Sequence, residues 1–146
     1  MKTLGFGSFA ACLLAVCAAQ GGDDAAQKKE KAALEGTWKI VSLESNKGKD
    51  ASAEGATLEF DKEGKNITFT KDGQTKKGTF KLNPAGKPKE IDINPENENK
   101  TFEGIYMVEK DTLKICLAPE AGEGRPSEFA LKDGKNYILI KLERAK

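Results

Sequence analysis

The chain contains no histidine. That absence removes the side chain most often used as a general base near neutral pH, and the commonest nitrogen ligand for metals. Cysteine is scarce as well, with three residues, Cys12, Cys17 and Cys116, in a chain of 146. If a leader is cleaved after Ala19, Cys116 is alone, and one thiol makes neither an internal disulfide nor a thiolate zinc site. No metal and no cofactor are therefore expected. Absent too are the G-x-S-x-G, phosphate-loop and dinucleotide fingerprints. Carboxylates are plentiful, but Glu59, Asp92, Glu103 and Glu143 fall at alternating polar positions, which a solvated outer face explains. No catalytic residue is identified, and an enzyme is not expected.

Long apolar runs are also missing. The one candidate, Ala10 to Ala19, is too short to span a bilayer as a permanent helix. It follows the positive Lys2 and gives way to Gln20-Gly21-Gly22-Asp23-Asp24, the pattern of a signal peptide over residues 1–19. The expected location is secreted or periplasmic, with a mature protein that is soluble. A second reading takes Leu14-Ala15-Val16-Cys17 as a lipobox, in which an acylated Cys17 anchors the protein to a membrane. Residues 1–19 hold one lysine and no acid, so the remainder carries 24 − 1 = 23 basic and 23 acidic residues. Such a balance supplies no long-range field for nucleic acid or an anionic membrane, so nucleic acid is excluded as a partner. Membrane contact is expected only through Cys17.

What is present is a rhythm of two. Between Thr101 and Leu117, two runs rich in β-branched and aromatic residues flank Glu109-Lys110-Asp111, as in an antiparallel hairpin. One hairpin cannot bury its apolar face alone, so further strands must pack with it. Alternation recurs at Trp38/Ile40, Leu58/Phe60, Ile67/Phe69, Phe80/Leu82, Ile91/Ile93, Phe129/Leu131 and Ile138/Ile140/Leu142. Asp72-Gly73 and Asp133-Gly134 suit tight hairpins. Short turns between successive runs predict an all-β, up-and-down antiparallel barrel of eight or nine strands. Residues 20–34 read as a linker or a short N-terminal helix capped by Asp23 or Asp24 and ended by Gly36, and residues 35–146 as the barrel domain. Lys76-Lys77 and Lys87 to Lys89 read as charged edges and loops that discourage association.

Gly36-Thr37-Trp38 resembles the G-x-W opening of lipocalins. A closer resemblance, covering Leu34 onward, is to an uncharacterised lipocalin-like domain family in secreted proteins of environmental bacteria. It rests on Leu34-Glu35-Gly36-Thr37-Trp38, Gly104-Ile105-Tyr106, Leu113-Lys114-Ile115-Cys116 and Arg125-Pro126-Ser127-Glu128-Phe129. The resemblance implies that Trp38 packs at the closed base of the barrel and that Arg144, from the last strand, covers it. No activity follows from it.

Two functions from different classes stay open. One is a secreted binding module that holds a small apolar or amphipathic molecule in the barrel. The other is a structural or protein-interaction domain of the bacterial envelope, with a filled barrel and no ligand. For the first, Tyr106, Phe69, Phe80 and Phe129 are the expected ligand-contacting aromatics. Arg125, in the loop Ala118 to Pro126, is the expected partner of a carboxylate head group, or else of Glu123 or Glu128. That loop and Ser45 to Gly55 are expected at one mouth, opposite Trp38. Cys116 is expected half-buried on the outer face.

Overall fold

The computed structural model describes residues 25–119 and 123–145. The leader, its cleavage site and Cys17 lie outside the described residues. A helix, α1, occupies residues 25–34. It is followed by β1 (Gly36–Ser45), β2 (Gly48–Lys49), β3 (Thr57–Phe60), β4 (Asn66–Lys71) and β5 (Gln74–Asn83). Then come β6 (Glu90–Pro95), β7 (Phe102–Glu109), β8 (Thr112–Ala118) and β9 (Ile138–Arg144).

Each long strand pairs antiparallel with the next in sequence, and β1 pairs with β9 to close the sheet. Eight strands thus form an up-and-down barrel, and the two-residue β2 only extends an end of β1. The seam runs from Trp38 opposite Arg144 to Ser45 opposite Ile138, with a bulge between Ile40 and Ser42 that leaves Val41 exposed. Closure leaves no long edge open to a further strand.

That closure explains one departure from the sequence pattern. Phe129 and Leu131 alternate like a strand but form none. In the closed barrel β8 is paired with β7 on one side and β9 on the other, and no ladder is free to accept another partner. The segment instead lies across the outside of the barrel, where Phe129, Leu131 and Tyr137 cover Ile105, Cys116, Ala118 and Leu139. Asp133-Gly134 is accordingly a loop turn and not a hairpin. Cys116 does face outward, but this cover buries it completely instead of by half.

Asp72-Gly73 behaves as its chemistry demands, with φ of 50° and 79°, the left-handed pair of a tight hairpin. Gly36 ends α1 with φ of 114°, a conformation that L side chains rarely adopt, and a Cβ there would press on Arg144.

Inside, side chains of alternating positions form one continuous core: Trp38, Ile40, Leu58, Phe60, Ile67, Phe80, Leu82, Ile91, Tyr106, Leu113, Ile115, Leu117, Ile140 and Leu142. An interior of eight strands is just wide enough to be filled by side chains or to hold one small ligand. Here the two ends of the barrel differ.

Candidate functional site

At the end where β1 starts, the barrel is plugged. Leu34 from α1 is fully buried beside Trp38, and the Trp38 indole N–H donates to the Leu34 carbonyl at 2.8 Å. The Arg144 guanidinium lies 4.2 Å from the centre of the Trp38 ring and donates to the Ala33 and Glu35 carbonyls at 2.8 and 2.9 Å. Those carbonyls are orphans of the helix C-terminus, so one side chain satisfies the helix end and covers the indole. This is the closing arrangement expected of Trp38 and Arg144.

Above them Phe60 and Phe80 meet edge to face, with ring centres 5.0 Å apart. Tyr106 is buried as well, and its hydroxyl donates to Glu30 Oε2 at 3.1 Å. Glu30 is also paired with Lys89. Burial, followed by the neighbouring Glu30 charge, raises the Tyr106 phenol far above its ordinary range, so it stays protonated. Its hydroxyl is committed to holding α1.

Toward the opposite end the packing opens. A cavity of about 350 Å³ is walled by Ile40, Leu43, Leu58, Ile67, Phe69, Ile93, Phe102, Ile115, Leu117, Ile138 and Ile140. Its rim holds Lys76, Lys77, Pro95 and Glu98. The rim belongs to the mouth where the chain turns after β1, β4, β6 and β8, opposite Trp38, as the meander requires. A second recess of about 400 Å³ adjoins it and shares Leu43, Phe69 and Lys76. Asp50, at the edge of this recess, is held below the usual carboxylate range by hydrogen bonds from the Ser52 hydroxyl and backbone.

Of the five residues that the sequence nominates for ligand contact, only Phe69 lines this cavity. Phe80 packs deeper, on Phe60, and Tyr106 is turned to Glu30. Phe129 is on the outer surface of the barrel and cannot reach the interior. Arg125 is also outside. It reaches Asp92 at 2.8 Å and Glu90 at 3.7 Å, and donates to the Gly104 carbonyl at 2.8 Å and to that of Ile91 at 3.3 Å. Neither Glu123 nor Glu128 is its partner: Glu123 accepts from the Asn136 backbone and Glu128 pairs with Lys132. Arg125 is a clamp that fastens the long loop to β6 and β7. The glycine at Gly104 serves a different contact, the close approach of β8: a Cβ there would fall 2.5 Å from Leu117 Cδ2.

Conversely, Lys76 and Lys77 are not in a loop. They lie within β5 at the rim of the cavity, paired with Phe69 and Thr68 of β4 on one side. The β5–β6 ladder starts only at Gly78, so the other side is an edge, where the Lys77 carbonyl accepts from the Glu96 N–H at 2.7 Å. Lys76 shares the parity of the inward Gly78, Phe80 and Leu82, and Lys77 the opposite parity. A lysine on the apolar side of an amphipathic strand was the signal available in the sequence. Cys116 contributes nothing at the mouth; its thiol is buried beneath the outer loop, and burial raises its pKa. Among the described residues no group of histidine, cysteine, aspartate or glutamate is arranged to hold a metal. No family model, no curated protein and no solved structure matches this chain.

Proposed function

We propose that the protein is an exported binding module that holds one small apolar or amphipathic molecule in the upper half of its barrel. The observation that carries this reading is the cavity of about 350 Å³, walled by aliphatic and aromatic side chains and open at the mouth. Ligand sites are concave, mainly apolar and roughly 300–1,000 Å³ in volume, and this one falls at the small end of that range. Its walls are apolar and its charged side chains, Lys76, Lys77 and Glu98, stand only at the rim, so the chemistry that supports this reading is burial of apolar surface.

A neutral fluorescent dye that brightens in apolar surroundings, such as Nile red, tests the proposal. The full chain should bind it, and Ile93→Trp, which places an indole in the cavity, should abolish binding without unfolding the barrel. Absence of binding, or binding that Ile93→Trp leaves intact, would favour the filled structural barrel. For export, the mass of the mature protein decides. An N-terminus at Gln20 supports secretion, whereas a lipid on Cys17 makes it an anchored lipoprotein.

A further inference from the structure

We infer that the occupant is a single-tailed alkanoate of medium chain length, with its carboxylate at Lys76. This inference rests on the binding-module reading above and adds the chemical class of the ligand. Three observations converge on it.

The first is charge. At the closed end, every charged group that enters the interior or its lid has a partner: Glu30 has Lys89 and Tyr106, and Arg144 has two carbonyls. At the mouth, Glu98 is engaged by Lys100 at 3.6 Å. Neither Lys76 nor Lys77 forms a salt bridge or side-chain hydrogen bond among the described residues. Asp50 and Asp72 line the adjoining recess with Lys76 but form no ion pair with it. The cavity rim therefore carries two lysines with no ion-pair partner among the described residues above an apolar well. An anionic head group over an apolar tail complements both.

The second is direction. Lys76 stands opposite Phe69 in the β4–β5 ladder, and both residues line the cavity and the adjoining recess. A carboxylate held by the Lys76 ammonium would sit above Phe69, with its tail pointing down the barrel axis. Lys77, on the outward parity, is less well placed.

The third is depth. Below the cavity lie Phe60, Phe80, Trp38 and Tyr106, packed to form a floor. Along β5 the rim residue Lys76 and the floor residue Phe80 are four positions apart. At ~3.3 Å per residue, and with the usual tilt of barrel strands, the well is on the order of 10 Å deep. Its volume matches about a dozen waters at ~30 Å³ each, and a methylene takes up about as much room as a water. A tail on the order of ten carbons fills it, and longer tails must protrude into solvent.

Calorimetric titration of the full chain with hexanoate, decanoate, hexadecanoate and decanol, each below its micelle concentration, tests all three points. Decanoate should bind well above hexanoate, and hexadecanoate no more than about twofold tighter than decanoate. Decanol should bind roughly tenfold more weakly than decanoate, the worth of one charge-assisted contact. Lys76→Gln should erase that difference by weakening decanoate alone, and Lys77→Gln should leave most of it. Equal affinity for decanol and decanoate in the parent protein would overturn the head-group assignment while leaving the binding module standing. A steady gain up to hexadecanoate would overturn the floor. If Nile red and decanol both fail to bind, the binding-module reading itself falls, which is a separate result.

Discussion

The two ends of this barrel are built from the same strands and solve opposite problems. The closed end spends aromatic bulk and buried polar groups, each given a partner: an indole N–H on a helix carbonyl, a phenol on a carboxylate, a guanidinium over a ring. The open end spends aliphatic side chains, leaves about 350 Å³ unfilled, and sets unpaired lysines at the rim. A partly filled eight-stranded barrel thus divides its interior into a packed lower part and an open upper part. If the division is real, substitutions should sort by end.

The largest effect belongs at the base. Trp38→Ala should cost about 3–5 kcal/mol in urea unfolding, because a fully buried aromatic leaves both lost transfer energy and a cavity. A loss under about 1 kcal/mol would show that the base is not the stable part. Arg144→Ala should follow at about 2–3 kcal/mol, since it strands two helix-end carbonyls and uncovers the indole. Far-ultraviolet circular dichroism should show that part of the loss is helical.

Tyr106→Phe comes next, at about 1.5–3 kcal/mol for a hydrogen bond to a charged acceptor. It also has a pH signature. The folded-state pKa of Tyr106 is raised above its ordinary value of 10.0, so the folded state keeps a proton that the unfolded state releases. Its contribution is full below pH 10 and is lost progressively as pH rises above it. The parent protein should therefore lose stability above pH 10 more steeply than Tyr106→Phe, by up to ~1.4 kcal/mol per pH unit. Parallel curves would mean that this phenol is not held in the core.

The smallest effect belongs at the mouth. Ile93→Trp should shift stability by less than ~1 kcal/mol in either direction, since the added bulk enters empty space. A cost of about 1–3 kcal/mol would be that of an overpacked core, and the two ends would then be alike.

The sequence made the barrel legible and the site illegible, for one physical reason. Alternation records whether a residue faces the inside of a sheet, and it placed eight strands; turn chemistry marked Asp72-Gly73, and the closure by Trp38 and Arg144 was implied only by the resemblance. Alternation carries no information on how high along the barrel an inward residue sits. Phe69 and Phe80 look the same in the pattern, yet one lines the cavity and the other its floor. Nor does it show that a strand-like run has nothing left to pair with, which is why Phe129 and Leu131 misled. Arg125 was misplaced because loop direction is set by tertiary contacts, here Asp92 and two carbonyls, that no local spacing announces.

The seam between β1 and β9 has a consequence for the order of folding. Arg144 and the Ala33 carbonyl that it caps are 111 residues apart in sequence. Every other strand pairing of the barrel joins neighbours in the chain, and local hairpins form in microseconds, long before a distant pair can meet. Hairpins β4–β5 and β7–β8 can therefore exist early, and β1 can join β3, while the β1–β9 seam waits for the last strand. Until Arg144 arrives, Trp38 has no lid and the helix end keeps its carbonyls uncapped. The closing of the base is thus the last step of assembly.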